Sequence, residues 1–324
     1  MSKTFLLSLS ISIVCLGLLG CNKSSKLPAA TEVVDPQKEE RISYFTLSNF
    51  PSAELWARNA SPEIPLISAH RGKPELPGYV ENSLEAITKL IQSGSFILEL
   101  DVGKSKDGVL FLFHDTELDR LTRNTGVAAD KTWAELDTMR LYNTEGKLSK
   151  STIPSLEEAL LQAKGQAMFT LDRKRGVPLS DISAMVTKLN MHADVALILY
   201  NMDDFTEWAN QTKLGPISHE AIGVLELEQL AQRCRELYKR FGIPPYHTGD
   251  LIPNSGFVGV GLPDKKILAV AKTLGIKTTV GTFGDLDQRA VATKGKTYRD
   301  LAQEGVSIIA TNKPLLAHKA LYGK

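Results

Sequence analysis

Short apolar segments alternate with helix-like segments along the chain from about residue 64 onward. A parallel strand that is buried on both faces has such a nearly continuous apolar composition. The segments between the runs place apolar residues three and four positions apart, as on one face of an amphipathic helix, and several end in glycine. The candidate strands are residues 65–72, 95–102, 167–174, 194–200, 221–227, 257–263, 276–282 and 306–312.

This alternation predicts an α/β fold, namely a parallel (β/α)8 TIM barrel. The span 64–318 contains 255 residues, which is the usual size of that fold. An open, doubly wound sheet is the alternative, because it produces the same alternation of elements. In a barrel the reaction centre lies at the C-terminal ends of the strands, so polar residues that end apolar runs are the candidates for chemistry.

Acidic side chains end the second and third runs. Glu99 and Asp101 are two residues apart, so they point to the same face of their strand, and Asp172 and Lys174 share a face in the same way. Three carboxylates in one barrel mouth repel each other and lose hydration, so cations, raised pKa values or a metal must offset the cost. An all-oxygen ligand set suits Mg²⁺ or Ca²⁺. The pattern supports two interpretations equally: a metal site, or a carboxylate cluster whose charge is neutralised by Arg and Lys.

Two histidines follow apolar runs. His70 and Arg71 end the first run, and the run "VLFLFHD" ends in His114 and Asp115. The Asp-Gly pair at 107–108 precedes that second run and predicts a tight turn, hence a small hairpin inserted after the second barrel strand. Both histidines are therefore expected at the same end of the barrel.

The motifs "AHRG", "ENS", "ELDVGKSKDGVLFLFHD" and "LDRLTRNTG" resemble, in order and spacing, those of the glycerophosphodiester phosphodiesterase family. The resemblance is dense from Ile67 to Leu136 and thinner afterwards. The family's fold is a (β/α)8 barrel, in agreement with the strand count. The resemblance implies a divalent metal, Mg²⁺ or Ca²⁺, on Glu99, Asp101 and Asp172.

The resemblance also implies that His70 and His114 are the acid and base. The chemistry suits a phosphodiester, because one histidine deprotonates the nucleophile and the other protonates the leaving alkoxide. Arg71 and Lys174 are expected to hold the non-bridging oxygens of the phosphate. Glu81 corresponds to the family's Glu before Asn. It is interpreted either as a substrate-side residue or as a charge that stabilises a helix start.

The sequence departs from the family pattern at four places. Arg173 replaces an apolar residue on the helix-facing side of its strand, and nothing in the sequence explains it. The third metal ligand is usually Glu, and Asp172 is one methylene shorter. The segment "TTVG" at 278–281 stands where the family often has W-T-V-N, whose Trp and Asn line the substrate pocket. Asn312 in "TNKP" replaces the family's Asp and supplies no carboxylate. The specificity for the alcohol is therefore left open.

The favoured function is metal-dependent hydrolysis of glycerophosphodiesters to glycerol 3-phosphate and an alcohol. A lysophospholipase D- or sphingomyelinase D-like activity on larger lipids is the first alternative, since the missing Trp leaves room for a bigger substrate. The second alternative is a non-catalytic lipoprotein that binds phosphoesters. Retention of both histidines and of the acidic pair Glu99 and Asp101 argues against this non-catalytic alternative. The expected ligands are thus glycerophosphodiesters or lysolipids.

The N-terminal residues have the pattern of a bacterial lipoprotein. Lys3 precedes an apolar segment of secretory length, which ends in the lipobox-like sequence "LLGC" at Leu18–Cys21. This predicts a signal peptide over 1–20, lipid on Cys21 and a flexible, polar tether over 21–45 before the barrel domain at 46–324. The alternative is an uncleaved N-terminal anchor. The expected location is the periplasmic or cell-surface side of a bacterial membrane.

Overall charge and cysteine content agree with this interpretation. The chain has 38 Lys and Arg against 37 Asp and Glu, and it lacks the basic surplus that is usual in nucleic-acid-binding proteins. Of its three cysteines, Cys15 lies in the predicted signal peptide and Cys21 is the predicted lipid site. Only Cys234 is left, so no internal disulfide is expected in the exported domain.

Overall fold

The computed structural model describes residues 36–323, except for 52, 60, 175, 201–202, 205–206, 208–214, 219–254 and 275–276. The predicted signal peptide, the predicted lipid site at Cys21 and the predicted strand 221–227 lie outside the described residues. The segment predicted as a tether, 21–45, contains a helix at Pro36–Tyr44 within its described part. Its sequence, PQKEERISY, is highly charged, and the helix is largely exposed.

Eight parallel strands close on themselves to form a barrel. Hydrogen-bonded neighbours run in the order β1, β2, β6, β7, β8, β9, β10, β11 and back to β1, so the predicted (β/α)8 fold is confirmed. Three further strands, β3, β4 and β5, lie in the insertion after β2. The bounds are β1 Leu66–Ala69, β2 Ile97–Lys104, β3 Leu110–Leu112, β4 Arg140–Tyr142, β5 Leu148–Thr152, β6 Met168–Arg173, β7 Val195–Leu199, β8 Gly215–Ser218, β9 Ser255–Val260, β10 Lys277–Gly281 and β11 Ile308–Thr311.

Helices pack around the described part of the barrel. None of the helices among the described residues is long and apolar enough to cross a membrane. Their bounds are α1 Pro36–Tyr44, α2 Ala53–Arg58, α3 Leu84–Ser93, α4 Asp119–Thr122, α5 Trp133–Leu136, α6 Leu156–Gln162, α7 Leu179–Leu189, α8 Lys265–Leu274, α9 Asp285–Ala292, α10 Lys296–Gln303 and α11 Pro314–Tyr322.

The position of the fifth barrel strand differs from the prediction. This strand is β8, the segment Gly-Pro-Ile-Ser at 215–218, which pairs with β7 and β9. Glycine and proline are uncommon inside strands, so the segment has no apolar run to identify it. The run at 221–227 is more apolar, and the sequence therefore predicts the fifth strand there, downstream of its observed position.

The predicted hairpin after the second strand is confirmed and is part of a larger insertion. β3 pairs antiparallel with the end of β2, with Gly108 at positive φ in the turn between them. A second hairpin, β4–β5, follows α5 and has no counterpart among the predicted elements. Apolar side chains of β3 and of the loops around it form a small separate core. Its buried members include Phe111, Phe113, Leu118, Leu121 and Leu136.

The strand periodicity divides the apolar side chains between two layers. In β2, Leu98 and Leu100 point outward and belong to the core shared with Ile87 and Leu90 of α3. Inward-pointing residues at the strand starts form a second cluster with Leu47 and the fully buried Trp56, which precede β1. The N-terminal end of the barrel is thus filled with apolar side chains. The polar inward positions lie at the C-terminal end.

Candidate active site

A tight turn directly after β1 positions the sequence His-Arg-Gly. Arg71 and Gly72 both adopt left-handed backbone conformations, with φ of 57° and 56°. A Cβ atom on Gly72 would lie 2.7 Å from the Leu100 side chain, so only glycine fits here. The turn directs the backbone N–H of Arg71 to Glu99, whose Oε2 accepts it at 2.7 Å. The first and second strands are joined at the mouth in this way.

The three predicted metal ligands lie together at the mouth. Glu99, Asp101 and Asp172 are buried, and one carboxylate oxygen from each lies within 4.8 Å of the others. Asp101 and Asp172 are register partners on the neighbouring strands β2 and β6. The inward alternation inferred from the sequence is therefore observed for all three.

Lys174 lies against two of these acids. Its Nζ is 2.6 Å from Asp101 Oδ1 and 2.7 Å from Asp172 Oδ2. One ammonium group does not balance three carboxylates. Burial raises the pKa of Glu99 well above its ordinary value, and the charges of Asp101 and Asp172 add to this increase. For Asp101 burial acts in the same direction, but the charge of Lys174 outweighs it, and the pKa is lowered.

The acidic cluster fits a hard divalent cation. Its donor atoms are all carboxylate oxygens, which Mg²⁺ and Ca²⁺ prefer. Burial and the two neighbouring carboxylates disfavour the ionised form of Glu99, and a bound cation would stabilise that form. Glu99, Asp101 and Asp172 are the residues that would hold it. Both features that the sequence left open, a set of metal-type ligands and neutralisation by a lysine, are thus present in one cluster.

His70 is held by a neutral side chain. Its Nδ1 lies 2.8 Å from Oδ1 of Asn312, and its ring stacks on Phe283 with 4.2 Å between the centroids. Because an amide oxygen accepts, Nδ1 carries the proton and Nε2 keeps a lone pair. Burial lowers the pKa of His70, although the hydrogen bond to Asn312 opposes this. His70 is thereby favoured in its neutral form.

His114 is held between a carboxylate and a guanidinium group. Nη2 of Arg71 lies 2.8 Å from His114 Nε2, and His114 Nδ1 lies 2.7 Å from Oδ1 of Asp115. A guanidinium group only donates, so Nε2 must accept and Nδ1 must donate to Asp115. The two histidines therefore have the same tautomer. They differ in the group behind Nδ1, which is a neutral amide for one and a carboxylate for the other.

Arg71 connects the parts of the site. Besides His114, it binds Glu81, whose Oε1 accepts from Nη1 at 2.9 Å. Its buried Nε has no hydrogen-bond partner among the described residues, and Asp101 Oδ2 lies 4.0 Å away. A buried donor without a partner is uncommon in proteins. This Nε is available to an oxygen atom of a bound anion.

Glu81 lies at the mouth of the barrel, where it binds two arginines. It accepts from both Arg71 and Arg120, at 2.9 and 2.5 Å. Burial would raise its pKa, but the hydrogen bond from Arg120 and the charges of both arginines lower it. Arg120 also binds Asp115, which in turn holds His114. The helix α3 begins three residues after Glu81, at Leu84, and is capped by Ser83, whose side chain accepts from the backbone N–H of Ala86.

Four residues of the site are not indicated by the sequence, and each has at least one partner that is distant along the chain. Asn82 has the residue type of a helix cap, but its Nδ2 donates to Asp101 Oδ2 at 2.7 Å, and Ser83 caps the helix. Tyr200 at the end of β7 donates to Asp172 Oδ1 at 2.6 Å. Arg120 and Phe283 were also not singled out. For Arg120 the motif "LDRLTRNTG" was the available signal.

Arg173, which had no explanation in the sequence, pairs with two acids on the outer side of the barrel. Its Nη2 lies 2.5 Å from Asp204 Oδ1 and 3.1 Å from Glu207 Oε2. Residues 172 and 173 thus point to opposite faces of β6, as strand alternation requires. Arg173 takes no part in the mouth of the barrel.

Comparison with protein families identifies a match over the residues that build this site. The model of the glycerophosphoryl diester phosphodiesterase family matches residues 70–221. The chain is 38% identical over 120 residues to glycerophosphodiester phosphodiesterase GDPD4 of Arabidopsis thaliana. It is 36% identical over 110 residues to a glycerophosphodiester phosphodiesterase of Bacillus altitudinis. These matches cover 36% and 33% of this chain, and 35% and 43% of the two relatives, so the chain spans less than half the length of either.

Solved structures extend the similarity of fold to most of the chain. A glycerophosphoryl diester phosphodiesterase from Parabacteroides distasonis superposes with a TM-score of 0.65 at 24% identity, over 88% of this chain and 92% of that one. A phosphodiesterase from Oleispira antarctica, solved with sn-glycerol-3-phosphate, gives a TM-score of 0.60 at 20% identity, over 79% and 96%. The comparisons do not favour the lysophospholipase D-like alternative. Residues 70–221 thus match the glycerophosphoryl diester phosphodiesterase family, and the fold around them is that of the solved structures.

Proposed function

We propose that the protein is a metal-dependent phosphodiesterase that hydrolyses glycerophosphodiesters to glycerol 3-phosphate and an alcohol. The observation that carries this proposal is the placement of two histidines beside three buried carboxylates: His70 precedes Arg71 in the chain, and His114 is hydrogen-bonded to the same arginine. The names of the relatives support the substrate class. When bound, the divalent cation would supply Lewis-acid neutralisation of the phosphate charge.

The cationic side chains hold the phosphate. Arg71 and Lys174 bind the non-bridging oxygens, and the unpartnered Nε of Arg71 is the first donor available. As Arg71 turns its hydrogen bonds to the phosphate, Nη2 leaves His114 Nε2. That nitrogen then faces the leaving oxygen. Substrate binding and activation of His114 are coupled in this step.

The two histidines divide the proton transfers. His70, neutral because of its burial and its amide partner, is the base that takes the proton of the nucleophile on Nε2. His114 is the acid: once Nη2 of Arg71 has left, Nε2 of His114 takes a proton from solvent, and the imidazolium, stabilised by the carboxylate of Asp115, protonates the leaving alkoxide. The nucleophile is water, or the free glycerol hydroxyl next to the phosphate, which would give a cyclic phosphate first. Water then opens the ring in a second step.

The site has room for both arms of a diester. A cavity of about 530 Å³ lies beside His70, and another of about 530 Å³ lies beside His114. The test is an assay of the barrel domain on a panel of glycerophosphodiesters and lysolipids, with Mg²⁺, Ca²⁺ or a chelator. Turnover of glycerophosphodiesters that needs a divalent cation supports the proposal. Turnover of lysolipids alone, or turnover unchanged by chelation, contradicts it.

The pH dependence of kcat/KM tests the assignment of the base. The acidic limb is expected below the ordinary pKa of histidine, because burial lowers the pKa of His70 and activity requires its neutral form. Asn312→Asp places a carboxylate against Nδ1, so it should raise the pKa of His70 and move this limb up by about one pH unit. Asn312→Ala, the control, loses the hydrogen bond and should lower kcat without an upward shift. An acidic limb that stays in place in the Asp variant would rule out His70 as the base.

We further propose that the protein is an exported lipoprotein, anchored by lipid on Cys21 at the periplasmic or cell-surface side of a bacterial membrane. The support is the sequence "LLGC" after an apolar segment of secretory length. Cys21→Ser should abolish acylation and leave an unprocessed precursor, as measured by lipid labelling and mass spectrometry. Persistent labelling of that variant would refute the lipobox, and Cys15→Ser serves as the control that stays labelled.

A further inference from the structure

One buried carboxylate, joined to the site through Asn312, has no role in the proposed reaction. Asp287 lies in α9, and only 3% of its surface is exposed. Its Oδ1 accepts from the hydroxyl groups of three residues, at 2.6 Å from Thr282, 2.6 Å from Thr311 and 3.0 Å from Tyr298. Its Oδ2 accepts from the backbone N–H of Asn312 at 2.9 Å. Four hydrogen bonds from neutral donors therefore offset the cost of burying this side chain.

These donors come from the two loops that hold the His70 ring. Thr282 directly precedes Phe283, whose ring stacks on His70. Thr311 directly precedes Asn312, whose Oδ1 lies 2.8 Å from His70 Nδ1. The aromatic ring from the loop after β10 and the amide from the loop after β11 are thus both fixed to one carboxylate.

The backbone around the amide on His70 is held on both sides. The N–H of Asn312 donates to Asp287, and the N–H of the next residue, Lys313, donates to Thr311 Oγ1 at 2.9 Å. This leaves the Asn312 side chain little freedom to turn its NH2 group toward His70. The amide oxygen stays opposite Nδ1, which is why Nδ1 carries the ring proton and Nε2 keeps a lone pair.

We infer that Asp287 is a positioning residue, which holds Asn312 and Phe283 in the arrangement that keeps His70 in its Nδ1–H tautomer. The inference rests on the proposed function for its effect on turnover, whereas the tautomer of His70 is a property of the protein alone. Tyr298 binds the same carboxylate from α10 and belongs to neither loop, so its hydroxyl contributes to stability and not to the placement of His70.

Kinetics of two variants at Asp287 test this inference. In Asp287→Ala, kcat is expected to fall by roughly tenfold, a part of the full contribution of a general base. KM should change little, because Arg71 and Lys174 hold the phosphate, so kcat and kcat/KM fall together. Asp287→Asn keeps an oxygen for the N–H of Asn312, and its NH2 group can donate to hydroxyl oxygens, so this variant should keep most of the activity. Unchanged kcat of Asp287→Ala, assayed below its melting temperature, would overturn the inference.

Nitrogen NMR of protein with labelled histidine measures the tautomer of His70 without turnover, at a pH at which the ring is neutral. His70→Ala assigns the signals. We expect the proton on Nδ1 in the unsubstituted protein and a mixture of both tautomers in Asp287→Ala. If no glycerophosphodiester is hydrolysed, the proposed function fails, and the tautomer still decides the positioning role. An unchanged Nδ1–H signal in Asp287→Ala would contradict that role.

A milder pair of variants tests the inference if Asp287→Ala does not fold. Thr311→Val removes a hydroxyl that donates to Asp287 and accepts from Lys313. Tyr298→Phe, the matched control, removes a donor to the same carboxylate from α10. Both should lower the melting temperature, but only Thr311→Val should lower kcat and change the tautomer of His70. Equal kcat values and equal tautomer populations in the two variants would overturn the inference.

Discussion

Alanine at His70 or at His114 is expected to lower kcat by about 10²–10⁴-fold, the usual contribution of a general acid or base. At the mouth of the barrel, Nε2 of His70 keeps a lone pair, and Nε2 of His114 can be released by Arg71. Nδ1 of each ring has a fixed partner. Neither ring belongs to a hydrophobic core cluster, so the melting temperature should change little. Steady-state kinetics and a thermal melt of each variant measure the two effects.

A third histidine provides the matched control for this experiment. His192 precedes β7 and so lies at the N-terminal end of the barrel, away from the mouth. His192→Ala should leave kcat within about twofold of the unsubstituted protein, because surface and structural substitutions act on stability and not on chemistry. Near-normal turnover of His70→Ala or His114→Ala would remove that histidine from the mechanism.

Asp172→Asn should lower metal affinity and activity together. The substitution removes one charge from the acidic cluster and keeps the shape of the side chain, so the loss reflects electrostatics and coordination. We expect a fall of about 10–100-fold in metal affinity by calorimetry, the range found for residues that support a metal site. Excess metal should restore part of the activity. Asp172→Glu restores the family's usual ligand and should keep metal and substantial activity.

The competing interpretation makes Asp172 only a partner of Lys174 and Tyr200, which both hydrogen-bond to it. In that case Asp172→Asn would lower the melting temperature and leave metal affinity unchanged. Asp300→Asn is the control, because Asp300 also pairs with a lysine but lies on an exposed helix. The metal affinity and the activity of the Asp300→Asn variant should stay unchanged.

Local periodicity explains why the acidic centre could be found from sequence. Side chains alternate strictly along a strand, so residues 99 and 101 had to share a face. The register between β2 and β6 then brings Asp172 level with Asp101. Lys174 follows from the same rule, two residues further along the chain. The closed barrel was predictable for the same reason, since seven of its eight strands are recognisable apolar runs.

The parts that sequence did not reveal depend on contacts between distant segments. Asn82 has the residue type and position of a helix cap, and only the fold shows its amide against Asp101. Tyr200 and Phe283 end apolar runs or follow them, but nothing local distinguishes them from packing residues. Phe283 lies two residues after "TTVG" at 278–281, and its ring stacks on His70. Only the tertiary structure shows that Phe283 and His70 lie together.

The identity of the phosphorus-containing product is the most direct test of the central claim. Glycerophosphoethanolamine and glycerophosphoserine would be incubated with the protein and Mg²⁺ or Ca²⁺, and followed by phosphorus NMR. We predict glycerol 3-phosphate as the final phosphomonoester, together with the free alcohol, and no product after chelation. Formation of phosphoethanolamine or phosphoserine, or the same glycerol 3-phosphate yield with and without chelator, would contradict the account.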